Sequence, residues 1–265
     1  MSYQYISVER DERLFILTIN RPEVMNAISP AASHEMSAAL DEFEADGELW
    51  VAIITGAGEA AFCAGGDINE MARAQTEADY QMPASGYGGM TNRNSCNKPI
   101  IAAVNGIAFG GGFEVALSCD IIVASDNALF GLPEPKIGTA AVATGMHRLA
   151  REIGLKPAMN LLLTAATIDA NHARDLGLVV EVVPQGEVMA AARKVADRIM
   201  RCAPLAVQAT KQVVLGGLNY AGVSAAQQAQ EAGEFDALRR MMLSDDIREG
   251  LNAFLEKRRP EWRGR

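Results

Sequence analysis

Three consecutive glycines, Gly110–Gly112, stand inside Gly106–Asp120, GIAFGGGFEVALSCD, where an apolar strand gives way to an apolar helix carrying a glutamate in its first turn. Few folds tolerate this arrangement. A helix start exposes unpaired N–H groups, and glycines leave them open to an anion or a developing oxyanion. Equally, glycines there allow the helix to pack tightly against a neighbouring strand. A second glycine turn, Ala64-Gly65-Gly66-Asp67, follows the strand beginning at Trp50 as the first follows the strand beginning at Ile100. Two such turns at strand ends can meet, and two converging backbone donors form an oxyanion hole.

Two carboxylates accompany the glycines. Glu114 lies in Gly-Gly-Phe-Glu-Val-Ala-Leu and Glu134 in Phe-Gly-Leu-Pro-Glu-Pro-Lys, both among apolar or small residues. Taken singly, Glu114 reads as a favourable charge at a helix start and Glu134 as a turn carboxylate paired with Lys136 or Arg148. Taken together, they fit a site where two carboxylates hold a water or shuttle a proton beside an oxyanion hole.

The rest of the chain supplies a frame for such a site. Tyr3–Val8 and Leu14–Ile19 alternate around the charged turn ERDER and predict a β-hairpin. Ser29-Pro30 predicts a helix start, with the helix running to about Glu44. Buried strands are expected at Trp50–Thr55 and Ile100–Val104, with a polar, glycine-containing loop reaching about Asn97 between them. Further strands at Ile121–Ala124 and Val179–Val183 continue the alternation, which predicts an α/β layered core. From Glu187 the pattern is helical, at 187–201, 204–215, 222–243 and 245–256, and reads as a separate helical subdomain or an oligomer contact. The expected division is 1–200 for the core and 201–265 for the helical region.

Composition narrows the function classes. The 265 residues are 49% hydrophobic with a formal charge of −9, so a phosphate-backbone binder is disfavoured and no nucleic-acid partner is expected. The opening MSYQYISVERDERL lacks a basic start and apolar run, and no segment reaches membrane-spanning length, so a cytoplasmic protein without a membrane partner is expected. Cys63, Cys96, Cys119 and Cys202 are scattered without metal-ligand spacing and read as reduced, small apolar fillers; no metal is expected.

The chain resembles the crotonase, or enoyl-CoA hydratase/isomerase, superfamily over almost its whole length. The resemblance is carried by Asn20-Arg-Pro-Glu with Met25-Asn-Ala, Phe62-Cys-Ala-Gly-Gly-Asp-Ile, Lys98-Pro-Ile-Ile-Ala-Ala-Val-Asn-Gly, Gly110-Gly-Gly-Phe-Glu, Phe130-Gly-Leu-Pro-Glu with Ile137-Gly, and the ending Phe254-Leu-Glu-Lys-Arg-Arg-Pro-Glu-Trp-Arg-Gly-Arg. It implies an α/β spiral of ββα units with a C-terminal helical trimerisation region, commonly a dimer of trimers. It implies an acyl-CoA thioester substrate, coenzyme A being part of that substrate and no further cofactor being needed. The backbone N–H groups of Gly66 and Gly111 would bind the thioester oxygen. Family hydratases use two glutamates, matching Glu114 and Glu134, whereas simple isomerases generally keep the second alone. Reversible syn addition of water to a 2-enoyl-CoA is the implied reaction, with Glu114 as base and Glu134 as proton donor to C2. Carnitinyl-CoA dehydratase, which the IITGAGE and AVNGIAFGGGFE stretches and the C-terminal ending resemble, is an alternative within the family, as is enoyl-CoA isomerase. A non-catalytic CoA- or RNA-binding homologue is the alternative without chemistry.

The same resemblance places coenzyme A beside the turn containing Arg21 and Val24 and the segment containing Ala64, Asp67 and Ile68, with Phe254 and Lys257 reaching a coenzyme A on a neighbouring subunit. The family often has lysine where Val24 stands. Where many hydratases have a proline and a Gly-Gly pair, this chain has Ala141 and Thr144, in a segment that shapes the acyl pocket. His147 reads as a helix-surface or inter-subunit residue rather than a catalytic one. Tyr80, Met82, Tyr87 and Met90, in the loop Ala72–Asn97, read either as an adaptable apolar acyl lining or as solvent-facing scatter.

Other chemistries fit less well. Gly56-Ala-Gly-Glu-Ala-Ala matches a dinucleotide fingerprint, but it runs into Phe62-Cys-Ala-Gly-Gly rather than a helix. A serine hydrolase lacks its G-x-S-x-G elbow.

Overall fold

The computed structural model describes residues 3–76 and 80–265. The chain opens with a hairpin, β1 (Ile6–Asp11) and β2 (Leu14–Ile19), paired antiparallel. Helix α1 (Pro30–Ala45) follows, and its start is capped as Ser29-Pro30 predicts: the Ala32 N–H donates to Ser29 Oγ at 3.2 Å. Three successive turns of a spiral come next. Each gives one long strand to a six-stranded sheet and one short strand to a four-stranded sheet before entering a helical segment. They run β3 (Val51–Gly56), β4 (Ala61–Cys63), α2 (Ile68–Arg73); then β5 (Ile100–Val104), β6 (Ile107–Phe109), α3 (Gly111–Leu117); then β7 (Ile121–Ser125), β8 (Leu129–Gly131), a 3-10 turn at Glu134–Ile137 and α4 (Gly145–Glu152).

The large sheet has the order β1-β2-β3-β5-β7-β10 and is parallel from β2 onward, β10 being Glu181–Val183. The small sheet has the order β4-β6-β8-β9, with β9 (Thr167–Asp169) antiparallel at its edge. Helices α5 (Leu155–Thr164) and α6 (Ala170–Asp175) flank β9.

The two-residue period of the strands explains how one sheet serves two cores. On β2, Phe15, Leu17 and Ile19 join the main core that the two sheets enclose with α1 and α3, while Leu14 and Ile16 face the opposite layer. On β3, Ala52 and Ile54 face the first and Val51 and Ile53 the second, and β5 divides likewise. The second layer is closed by α7 (Val188–Met200) through Val188, Ala191, Ala192, Val195 and Ala196. Burying each large apolar side chain contributes about 1.5–3 kcal/mol.

Several expectations change in tertiary context. Of the helices read together from Glu187, α7 packs beneath β3 and β5, on the core side of the division expected at 200. Beyond it, α8 (Pro204–Gly217) packs against α10 (Asp236–Met242). The continuous helix expected over 222–243 is two helices, α9 (Val223–Glu231) and α10, because Gly233 takes a left-handed φ of 81° between them. Helix α11 (Asp245–Leu255) follows. The strand expected over Val179–Val183 pairs only from Glu181. The loop expected to run to Asn97 contains α2, and its residues 77–79 lie outside the described ones. Cys63 and Cys96 are buried fillers, Cys119 is half-buried, and Cys202 is exposed and fills nothing. Among the described residues, no helix is long and apolar enough to cross a membrane.

Candidate functional site

The two glycine turns meet where the first and second turns of the spiral leave the small sheet. Gly65 has a left-handed φ of 106°, and a side chain added there would start 3.0 Å from Phe109 O and 3.6 Å from Gly111 N. Gly112 sits tighter still: a Cβ would fall on the Cys63 carbonyl, so only glycine lets α3 begin against β4. Close packing and open amides, alternatives when read from sequence, coexist here. Gly112 serves the packing, while the amides of Gly66 and Gly111 have no hydrogen-bond acceptor among the described residues.

A brace holds the turns in place. Ile28 N donates to Gly65 O at 2.9 Å, Asp67 N donates to Ile28 O at 3.3 Å, and Tyr87 Oη donates to the same Ile28 carbonyl at 3.3 Å. The Tyr87 ring covers Gly111 so closely that a Cβ would lie 2.5 Å from it. Tyr87 and Met90 are thus buried supports of the site and Met82 packs partly buried against the core, so none of the three is solvent-facing scatter. No periodic signal in that polar, glycine-containing segment points to the supporting role of Tyr87.

Both glutamates point into this region. Glu114, in the first turn of the fully buried α3, is 2% exposed, and its Oε1 accepts from Gly145 N at 2.8 Å. Gly145 is required there, because a Cβ would lie 2.9 Å from Glu114 Oε1. Burial pushes the Glu114 carboxyl up to about 7; the amides of Gly145 and Ala143 oppose this and the charge of Glu134 adds to it. Glu134 opens the 3-10 turn after β8, which is tied to the glycines by Gly110 N donating to Gly131 O at 2.9 Å. Its Oε1 lies 3.0 Å from where a Gly110 side chain would start, and its Oε2 is shielded from solvent with no partner. Burial raises its pKa as well. The ion pairs considered for Glu134 do not form: Arg148 instead donates to Thr144 Oγ1 at 3.0 Å and to Thr91 O at 3.4 Å, and Lys136 is exposed at the far end of the turn.

The segment that departs from the family pattern supplies a Glu114 partner. Ala141 is buried within 3.2 Å of the position a Gly145 side chain would take, and Thr144 holds a φ of 80°, a strained value for a β-branched residue. His147 lies exposed on α4.

The residues assigned by resemblance to coenzyme A separate into two groups. Arg21, 11% exposed at its side chain, donates to Ala27 O at 2.7 Å and to Asp67 Oδ2 at 2.9 Å, so its guanidinium is used within the protein. Asp67 also caps α2 by accepting from Glu70 N at 3.3 Å. Val24 is half-buried in the 3-10 turn Pro22–Val24, Ala64 N donates to Met25 O at 3.0 Å, and Ile68 is exposed at the start of α2. Phe254, 81% exposed on α11, and Lys257 after it share no hydrogen bond or ion pair with this cluster. Two asparagines of the family motifs, Asn26 and Asn105, hold the framework. Asn26 Nδ2 donates to Ala57 O and Ala61 O, while Asn105 Nδ2 donates to Gly56 O at 2.9 Å and Gly58 O at 2.7 Å. The Gly56–Gly58 turn is therefore filled by an asparagine side chain in place of a dinucleotide phosphate. Among the described residues no group of three His, Cys, Asp or Glu side chains is placed to hold a metal ion.

Comparison with known proteins agrees with this architecture. Residues 9–265 match the family model described as enoyl-CoA hydratase/isomerase. The chain is 40% identical over 249 residues to carnitinyl-CoA dehydratase of Proteus mirabilis, covering 94% of each chain. It is 37% identical over 261 residues to short-chain-enoyl-CoA hydratase of Clostridium acetobutylicum, covering 98% of each. The solved structure of enoyl-CoA hydratase from Mycobacterium tuberculosis superposes with a TM-score of 0.89 at 38% identity, over 98% of this chain and 99% of that one. The paired spiral sheets, the glycine turns at their ends and the two glutamates facing them are thus those of a protein that belongs to the enoyl-CoA hydratase/isomerase family.

Proposed function

We propose that the protein is an enoyl-CoA hydratase that adds water reversibly, in the syn sense, across the double bond of a 2-enoyl-CoA. The observation that carries this reading is the convergence of the buried Glu114 and the half-buried Glu134, whose Oε2 is shielded from solvent, on two glycine turns whose Gly66 and Gly111 amides are free to donate. A thioester oxygen placed between those amides gains little while neutral and much as it becomes an enolate; one such donor is worth about 2.7–4 kcal/mol in the transition state.

The carboxyls divide the proton transfers. Glu114, held by the Gly145 amide, takes a proton from water as the water oxygen bonds to C3. The π electrons of the C2–C3 bond move onto the thioester oxygen. Glu134, whose Oε2 has no competing partner, delivers its proton to C2 as the enolate collapses, which completes the addition of one water. Run backwards, the same steps dehydrate a 3-hydroxyacyl-CoA. The charge of Glu134 adds to the rise at Glu114, so ionisation of one carboxyl disfavours that of the other, which suits a base paired with an acid.

The cycle uses no cofactor beyond the coenzyme A of the substrate. The exposed Leu243, Leu251, Phe254 and Leu255 in and beside α11 support a trimer or dimer of trimers built through residues 201–265. Four free cysteines and the acidic charge fit a reducing cytoplasm.

Loss of the ultraviolet absorbance of crotonyl-CoA on adding the protein tests the reaction. Rapid loss that disappears in both Glu114→Gln and Glu134→Gln is expected; activity retained in either variant refutes the two-carboxyl mechanism. The 40% identity to carnitinyl-CoA dehydratase supports one further reading, dehydration of a thioester with a charged acyl group. Thioester binding without any loss of crotonyl-CoA favours that reading.

A further inference from the structure

Two side chains near the glycine turns end in oxygens that are shielded from solvent and yet have no hydrogen-bond partner: Glu134 Oε2 and Tyr80 Oη. The first has a place in the hydration mechanism. The second does not. Tyr80 Oη lies 3.3 Å from the point where a side chain at Gly66 would begin, beside Met71 Sδ at 3.1 Å. It is therefore next to one of the two proposed oxyanion donors, on the side that Gly66 leaves open.

The groups around the hydroxyl define what it can do. Of the carboxylates that act on it, Asp67 is engaged by Arg21 and by Glu70 N, and Glu70 lies 4.0 Å from the Arg21 guanidinium. Neither hydrogen-bonds the phenol. Burial, reinforced by these two negative charges, pushes the Tyr80 pKa up to about 12, so the hydroxyl keeps its proton and is available as a donor. An unpartnered buried hydroxyl is unfavourable in the free protein and becomes favourable once an acceptor arrives.

We infer that Tyr80 Oη donates a third hydrogen bond to the thioester oxygen held by the Gly66 and Gly111 amides. The inference rests on the hydratase reading for the location of that oxygen. A carbonyl oxygen has two lone pairs, which two amides satisfy; an enolate oxygen carries more charge and a further lone pair. The third donor therefore acts chiefly in the transition state, and its removal lowers kcat more than it raises KM.

The test compares full-length wild type with Tyr80→Phe, which keeps the ring and removes only the hydroxyl. Crotonyl-CoA hydration gives kcat and KM, and the red shift of bound para-dimethylaminocinnamoyl-CoA reports polarisation of the thioester carbonyl without turnover. A kcat lower by about a hundredfold to a thousandfold, KM within about threefold, and a smaller red shift are expected, from the usual worth of a single oxyanion donor. An unchanged kcat and red shift overturn the inference. So does a loss confined to thioesters with an oxygen further along the acyl chain, which would place the hydroxyl in the acyl pocket. A wild type that shifts the chromophore without hydrating crotonyl-CoA refutes the hydratase reading and leaves Tyr80 judged by the shift. A wild type that binds neither thioester refutes both.

Discussion

Replacing Glu114 by glutamine should make the protein more stable while destroying its activity, and the gain should depend on pH. Glu114 is 2% exposed, and burial lifts its pKa from the ordinary 4.5 to about 7. Below pH 4.5 the carboxyl is protonated in both folded and unfolded chains, so its burial carries no charge penalty. As pH rises past 4.5 the unfolded chain releases its proton first, and folding must then keep a proton that the unfolded chain has lost. Stability falls until Glu114 itself ionises near 7, above which the penalty is constant. The interval from 4.5 to about 7, at about 1.4 kcal/mol per pH unit, amounts to about 3 kcal/mol. Glutamine keeps an oxygen to accept from Gly145 N and never ionises. Its added N–H groups need acceptors, which offsets about 1 kcal/mol. At pH 8 the variant should therefore melt roughly 4–8 °C above wild type, from about 2 kcal/mol in a chain of this size. At pH 4.5 the two melting temperatures should converge. Thermal unfolding at both pH values and one protein concentration measures this. An equal gap at both, or a less stable variant at pH 8, would show that burial does not penalise the Glu114 charge.

Three more outcomes follow from the packing around the site. Gly112→Ala forces a methyl onto the Cys63 carbonyl, so α3 must move; a loss of several kcal/mol is expected, seen as a steep fall in soluble protein or melting temperature. Asn105→Ala leaves the carbonyls of Gly56 and Gly58 and the Gly56 amide without their side-chain partner, and chemical denaturation should report a loss of about 3 kcal/mol. Arg21→Ala strands the buried Asp67 carboxylate, so a loss of about 3 kcal/mol should accompany any rise in KM; a higher KM at unchanged stability would instead make Arg21 a direct contact to coenzyme A.

How legible the site was depended on the range of the interactions. Glu114 and Glu134 are readable because each stands out locally: a carboxylate inside an apolar helix start, and another between two prolines after an apolar strand. Tyr87 is not, because the reason for its burial is Gly111, far along the chain. The bond of Arg21 to Asp67 is not legible either, because that partner lies forty-six positions away. Cys202 looked like the other cysteines and lies exposed, since nothing in its own helix turn determines what packs against it.

What the amino-acid order by itself determined is the local part: the capped start of α1, the alternation that gives β2, β3 and β5 two apolar faces, and the glycine turns at the strand ends. Those features arise from hydrogen bonds and side-chain directions within a few residues, which the order of residues specifies directly. Only the tertiary structure decided that α7 closes the second core, that the two glycine turns touch, that Gly145 meets Glu114, and that Tyr80 and Tyr87 lie against the glycine turns. Each of these depends on which surfaces the spiral brings together, a choice made by burial of apolar area summed over the whole chain rather than by any one segment.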